Sequence, residues 1–145
     1  MEVRTQAMST TVDRTSRYLA YLIDEGYRPE MDDYGSILFK REGATFVILI
    51  ENSDAEFFHL LFPNFWQVHT SEEHSRALLA ANRTTMDLKA VKVFVRDDNR
   101  VCASIEASYP GPDDFAAVFP RNIRSLEIAA RTFIHEMKDG VHPEP

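Results

Sequence analysis

The sequence predicts an α+β fold in which helices pack against an antiparallel sheet. Between residues 26 and 62, short apolar stretches are separated by turn residues, as in consecutive strands. Residues 89–109 alternate between apolar and polar side chains, which is typical of a hairpin. Three segments with helical periodicity flank and separate these strands. The predicted order is therefore α, three or four strands, α, two strands, α.

The first predicted helix begins at Thr10 or Thr11, either of which suits an N-cap, and runs to about Glu25. Its apolar stripe consists of Val12, Leu19, Leu22 and Ile23. Gly26 suits the left-handed residue that ends a helix. Residues 1–9 are predicted to form a flexible N-terminus.

The first predicted hairpin turns at Glu42 and Gly43. This register pairs Phe39 with Phe46, and Ile37 with Ile48, so that all four residues share one buried face. After a turn at residues 52–54, residues 57–62 form a further strand that is apolar on nearly both faces. Pro63 is expected to end this strand.

The second helix is predicted to begin at Thr70, which forms a capping box with Glu73. It carries Ala77, Leu78 and Ala81 as apolar residues and ends near residues 82–84. The second hairpin turns at residues 97–99 and pairs Val95 with Val101, Val93 with Ala103, and Val91 with Ile105. Its other face is predicted to be polar and to carry Lys92, Arg96, Ser104 and Glu106.

The last helix is predicted to begin at Asp113 or Asp114 and to end near Lys138. Pro120 indicates either the first turn of a new helix or a kink in a continuous one. The apolar stripe consists of Phe119, Ile123, Leu126, Ala130, Phe133, Ile134 and Met137. We interpret residues 10–138 as a single domain and residues 139–145 as a flexible tail.

Composition excludes several classes of function. The net charge of −7 and the pI near 5.2 argue against nucleic-acid binding, which requires clustered Lys and Arg. No apolar run approaches the roughly 18 residues that a membrane span needs. The single cysteine, Cys102, excludes an intrachain disulfide and fits a reducing compartment, so we expect a cytoplasmic protein.

The sequence offers no catalytic or metal-binding motif. His69 and His74 are five residues apart, which is not the i, i+4 spacing of two zinc ligands on one helix face. Cys102 lies on a predicted strand, where we interpret it as a packed, inert thiol. No acid–base pair or glycine-rich phosphate loop is recognisable. We therefore expect a non-enzymatic protein without a cofactor or metal.

The order of these elements and turns resembles the YbjN family of bacterial proteins. The residues that carry the resemblance are Gly26, Tyr27, Asp33, Gly35, Ile37, Phe39, Lys40, Glu42, Gly43, Asp54, residues 63–66, Asn82, Lys89, Lys92, Glu106 and the helix at residues 119–137. The resemblance covers residues 10–138. It implies the fold of type III secretion chaperones and a cytoplasmic, non-enzymatic protein of the kind described as a sensory-transduction regulator. The chaperones with this fold are small acidic dimers that hold extended segments of partner proteins.

The densest aromatic cluster is the candidate partner-binding or dimer interface. It comprises Phe57, Phe58, Leu60, Leu61, Phe62, Phe65 and Trp66. Because a strand covered on one side buries only alternate residues, the cluster either lies inside the monomer or meets a partner. Trp66 is correspondingly a core residue or an interface anchor. Lys89, Lys92 and Glu106 form either a partner-facing polar patch or ordinary surface charges.

Two functional hypotheses follow. The first is a protein-interaction module, chaperone-like or regulatory, that forms a homodimer and binds a partner protein segment through a sheet edge or the aromatic cluster. The alternative is a regulatory domain that senses a small ligand in a pocket between helix and sheet. A concave pocket favours the sensor, and an exposed apolar patch favours the protein binder.

Overall fold

The computed structural model describes residues 2–139, with side chains from residue 13 on, and contains three helices and six strands. In chain order they are α1 (Glu2–Asp24), β1 (Glu30–Met31), β2 (Ile37–Arg41), β3 (Ala44–Leu49), β4 (Phe57–Gln67), α2 (Ser71–Asp87), β5 (Lys92–Val95), β6 (Arg100–Ser108) and α3 (Asp114–Lys138). The strands form one antiparallel sheet in the order β1-β2-β3-β4-β6-β5. The predicted α+β fold is confirmed.

The described chain forms two compact units. The first comprises the residues up to 61 together with residues 106–120. The second comprises residues 62–105 together with residues from 121 on. That residues 10–138 act as one domain stays a prediction.

The hairpin of β2 and β3 fixes the sheet of the first unit. Glu42 and Gly43 both have positive φ, 51° and 83°, as a tight two-residue turn requires. Phe39 pairs with Phe46 and Ile37 with Ile48, as the sequence predicts. All four side chains are fully buried. The pattern of buried alternate residues therefore sets the register.

Aromatic rings fill the core of the first unit. Tyr18 of α1 lies edge-on to Phe115 of α3, with ring centroids 4.7 Å apart, and edge-on to Phe58 of β4 at 5.7 Å. The rings of Phe119 and Phe39 are tilted against each other, with centroids 5.8 Å apart. Such edge-to-face and tilted pairs contribute stability beyond their buried area.

The first helix differs from its prediction in start and orientation. It begins at Glu2, so residues 2–9, for which a flexible N-terminus is predicted, are helical. Leu22 is buried as expected, but Ile23 is exposed, because the buried face follows Arg14, Tyr18 and Leu22 at intervals of four. The side chain of Val12 lies outside the described residues, as does the tail after Asp139.

Buried Arg14 holds the loop between β3 and β4. Its guanidinium donates hydrogen bonds to the backbone oxygens of Glu51 and Asp54, each at 2.6 Å, and to that of Phe57 at 3.3 Å. The side chain is almost completely shielded from solvent. Charge-assisted hydrogen bonds to three carbonyls compensate for burying this cation.

In the second unit, the cap of α2 and the pairing of β5 with β6 confirm the sequence predictions. The Thr70 side chain accepts the backbone N–H of Glu73 at 3.1 Å. Val95 pairs with Val101 and Val93 with Ala103. The helix nevertheless runs to Asp87, one turn beyond its predicted end, and Val91 precedes β5, so the predicted strand pair with Ile105 is not part of this ladder.

The predicted polar face of this hairpin is wrong at Ser104. Ser104 and Cys102 are both fully buried, as are Val101 and Ala103 on the opposite face. Because β6 is an interior strand of the sheet, its middle residues are covered on both faces.

The last helix is continuous through Pro120, so the alternative in which a new helix begins at this proline is wrong. Its buried stripe includes the predicted residues except Ile134, which is half-buried. Those fully or nearly buried are Phe119, Ile123, Leu126, Ala130, Phe133 and Met137.

Candidate protein-interaction surface

The structure divides the predicted aromatic interface. Phe58 and Leu60 are fully buried in the first unit. They are therefore core residues and not contacts for a partner, because alternate side chains of β4 point into the core. Phe57 is half-buried, and its ring lies edge-on to that of His59 at 5.6 Å.

The other face of the first unit's sheet carries an apolar row. Leu38 pairs with Val47, and Val47 pairs with Leu61, so the three side chains align across β2, β3 and β4. All three are half-buried. We call Leu38, Val47 and Leu61 the outer-face row. The row is an apolar surface within the first unit. Because successive side chains of a strand point to opposite faces, these residues face away from the core when Phe39, Phe46 and Leu60 face it.

In the second unit, Phe65 and Trp66 are tied into the fold. Both rings lie edge-on to buried Phe133, at 5.6 and 5.9 Å. The indole Nε1 of Trp66 also donates a hydrogen bond to Glu73 Oε1 at 3.1 Å. Phe62 lies against Phe65 at 5.3 Å. These half-buried rings support the core interpretation of Trp66.

Pro63 does not end the strand, contrary to the sequence prediction. β4 continues to Gln67, and the chain adjusts at Asn64, whose φ is +55°. The backbone N–H of Asn64 faces the Cys102 sulfur at 3.5 Å, and the Cys102 thiol faces Asn64 Oδ1 at 3.6 Å. A local irregularity thus absorbs the proline.

The three charged candidates do not form one cluster within a unit. Lys89 and Lys92 are exposed residues of the second unit, and Lys92 Nζ lies 6.0 Å from the ring centroid of Phe94. Glu106 is exposed and belongs to the first unit.

The feature that sequence reasoning missed is the orientation of α2. The buried residues of this helix are all small: Ala77, Ala80, Ala81 and Thr84. Its large apolar residues face outward, with Leu78 49%, Leu79 54% and Met86 74% exposed. Leu78, one of the apolar residues of the predicted helix, is therefore a surface residue, whereas Ala77 and Ala81 are buried. We call Leu78, Leu79, Asn82 and Met86 the α2 outer face.

The signal for this orientation is present in the sequence. On a helical wheel, Leu79, Asn82 and Met86 lie on the side opposite Ala77, Ala80 and Thr84. Small residues allow a helix to approach its neighbours closely. A prediction based on hydrophobicity instead assigns the leucines to the core.

The β5 edge of the sheet is covered by a side chain. Thr85 Oγ1 accepts the backbone N–H of Val93 at 3.0 Å and donates to the Val93 carbonyl oxygen at 3.4 Å. One hydroxyl thus satisfies both outward groups of a middle residue of β5. This contact protects the edge against pairing with a further strand, and it disfavours strand addition here.

Between residues 13 and 139, where side chains are described, no group of three or more His, Cys, Asp and Glu side chains is arranged to hold a metal ion. None of the helices within residues 2–139 combines the length and hydropathy needed to cross a bilayer.

Comparison with known proteins identifies the fold. No family model matches the sequence, and no curated protein matches it. The crystal structure of YbjN from E. coli, described as a proposed transcription regulator, is similar over 87% of this chain and 92% of that chain, with a TM-score of 0.61. The two chains share a fold. At 15% sequence identity, the similarity to YbjN shows the fold alone.

Proposed function

We propose that this chain is a non-enzymatic protein-interaction module, chaperone-like or regulatory, that forms a homodimer and binds a segment of a partner protein. The observation that carries the proposal is the α2 outer face. Burying one large apolar side chain contributes about 1.5–3 kcal/mol, and α2 leaves three of them exposed together. An apolar patch of this kind on a small acidic domain is typical of an interaction site.

A second copy of the chain fits this face. Two α2 helices that cross in antiparallel orientation, with the two-fold axis between Leu79 and Asn82, would place Leu79 opposite Asn82 of the second copy, about one helical turn from the second Leu79. The same operation brings Met86 over Ser75 of the second copy. An antiparallel pair places the first turn of one helix beside the end of the other, so Glu72 would lie at the same end of the pair as Lys89 of the second copy, which follows the last residue of α2 by two positions. The apolar centre is thus flanked by opposite charges, as protein interfaces often are.

The outer-face row offers a separate surface for a partner segment. Leu38, Val47 and Leu61 present an apolar strip within the first unit, and the chain as a whole carries a net charge of −7. An extended segment with apolar side chains complements the strip, and the net charge of the whole chain favours encounter with a basic partner at long range. The proposal of a regulatory role agrees with the description of YbjN, by analogy of fold alone.

The alternative function, a domain that senses a small ligand, is supported by one observation. A cavity of about 500 Å³ lies beside β1 and β2 in the first unit. Its volume is within the range of roughly 300–1,000 Å³ that is usual for small-molecule sites.

Light scattering over a dilution series tests the homodimer. We expect twice the chain mass of 16.6 kDa for the wild type and the mass of one chain for Leu79→Glu, because a buried carboxylate disfavours the apolar contact. Ile23→Glu is the matched control, since Ile23 of α1 is 62% exposed and Leu79 is 54% exposed. A monomeric wild type, or a folded Leu79→Glu dimer, would contradict the proposal.

A charge exchange tests the geometry. Glu72→Lys and Lys89→Glu should each weaken the dimer, because each places like charges opposite one another. The double variant restores opposite charges and should recover most of the affinity. If the loss of dimerisation free energy in the double variant equals the sum of the losses in the two single variants, the antiparallel arrangement is wrong even though a dimer exists.

A further inference from the structure

The cavity beside β1 and β2 results from the way the chain leaves helix α1. Gly26, with a φ of +93°, ends the helix, and β1 that follows is only two residues long. β1 pairs with Ile37 and Leu38 alone, whereas β2 continues to Arg41. The last residues of β2 therefore have no β1 residue beside them. A cavity of about 500 Å³ opens at this place.

One wall of the cavity is held rigidly. The ring of Tyr27 lies edge-on to the fully buried ring of Phe39, with centroids 5.0 Å apart. The Tyr27 hydroxyl accepts a hydrogen bond from Arg41 Nη1 at 3.2 Å. Leu38 and Thr45 also line the cavity and add an apolar and a hydroxyl group. The cavity thus has a fixed aromatic wall, which reduces the entropic cost of binding.

The charged residues of the cavity are two cations and one carboxylate. Arg28 and Lys40 line it together with Glu30, all three exposed to solvent. Within the described residues, no ion pair includes Arg28 or Lys40. The cavity therefore carries a local excess of positive charge in a chain whose net charge is −7.

We propose that this cavity binds a small organic carboxylate with an aromatic or apolar group. A guanidinium such as that of Arg28 pairs with a carboxylate through two parallel hydrogen bonds, and the Lys40 ammonium adds a second positive charge. The apolar group of the ligand lies against Tyr27 and Leu38. Glu30 at the same cavity disfavours ligands with several negative charges. The mixture of one aromatic wall and a few polar groups is typical of a small-molecule site.

Benzoate is a suitable probe, with benzamide as its uncharged counterpart of the same shape. In an NMR titration of the ¹⁵N-labelled protein, we expect benzoate to shift the amide signals of residues 26–30 and 38–40 with a saturable dependence on concentration. Benzamide should shift the same signals at least about threefold more weakly, because it lacks the charge-assisted bonds. Sodium sulfate at equal ionic strength should not reproduce the benzoate pattern.

The variants Arg28→Gln and Lys40→Gln should each weaken benzoate binding about three- to tenfold, with little effect on benzamide. Arg124→Gln, which removes an exposed cation from α3, is the control and should bind benzoate as the wild type does. Equal shifts with benzamide or sulfate, unchanged affinity in both cavity variants, or an absence of saturable shifts would overturn the proposal. The cavity shares no residue with the α2 outer face, so the proposal of ligand binding and the proposal of the homodimer can fail separately; it does share Leu38 with the outer-face row.

Discussion

Trp66 Nε1 donates a 3.1 Å hydrogen bond to Oε1 of Glu73, the third residue of helix α2. Thr70, the N-cap of the same helix, accepts the Glu73 backbone N–H, so Glu73 takes part in both the cap and the indole contact. The indole ring lies against Phe133. The only tryptophan of the chain therefore links β4 to the start of α2 and to the core of the second unit.

The first prediction is that Trp66 acts in stability and not in self-association. Trp66→Ala should reduce the free energy of unfolding by about 2–4 kcal/mol, because it leaves a cavity beside Phe133 and an unpaired Glu73 carboxylate. Trp66→Phe retains most of the ring and should cost about 1–2 kcal/mol. Urea denaturation measures both values. A folded Trp66→Ala variant that loses the dimer in light scattering would instead assign Trp66 to the interface.

The second prediction concerns Thr85 at the sheet edge. Thr85→Val preserves the shape of the side chain but leaves the Val93 N–H without its hydrogen-bond acceptor. We expect a loss of about 1–3 kcal/mol in unfolding free energy and faster aggregation on heating, because the β5 edge becomes available for pairing. Thr85→Ser retains the hydroxyl and is the control. Equal stability of the Val and Ser variants would show that the hydroxyl contributes nothing.

The fold was predictable from the sequence where local residue patterns fix the strand register and the turn. The two-residue turn at Glu42 and Gly43 sets the register of the first hairpin. This register pairs Phe39 with Phe46 and Ile37 with Ile48 and places all four side chains on one buried face. The element order and the antiparallel hairpins follow from such local patterns. The burial of the aromatic cluster was predictable only in part. Strand alternation places Phe58 and Leu60 in the core, but it does not reveal what covers the opposite face of the strand.

The candidate surface was less predictable, because it depends on which helix face the tertiary structure selects. Leu78 and Leu79 are more hydrophobic than Ala77 and Ala80, yet the alanines are buried. The distance between α2 and the elements it packs against decides which face is buried. Sequence periodicity does not predict that distance. Similarly, nothing local to Arg14 indicates that three carbonyls of a loop some 40 residues away converge on it.

The third prediction follows from the Arg14 contacts. Arg14→Met keeps an unbranched apolar stem but removes the donors to the oxygens of Glu51, Asp54 and Phe57. We expect a loss of about 2–4 kcal/mol in unfolding free energy, because three partly buried carbonyls lose charge-assisted partners. Hydrogen exchange at residues 51–57 should accelerate more than exchange in the β2–β3 hairpin. Arg14→Lys, with one point charge in place of a planar fork, should recover only part of the stability.

The last prediction concerns stability at alkaline pH and rests on Tyr18. This side chain is packed between Phe58 and Phe115 and is almost completely buried. Burial raises the pKa of Tyr18 above its usual value of 10.0, because the phenolate would lose its hydration; the nearby Tyr109 acts in the same direction, and the Arg14 cation opposes both.

A raised pKa in the folded state means that the folded chain retains the Tyr18 proton to a higher pH than the unfolded chain does. The contribution of this group is therefore fully present below the unfolded pKa of about 10 and is lost as the pH rises through the folded value, with a slope of at most about 1.4 kcal/mol per pH unit. The free energy of unfolding, measured by urea denaturation, should decline less between about pH 9 and pH 11 in Tyr18→Phe than in the wild type. Tyr34→Phe, at a position 93% exposed, is the control and should leave the decline unchanged. Identical slopes for the wild type and Tyr18→Phe would contradict the assignment, because the buried phenol would then not titrate differently in the two states.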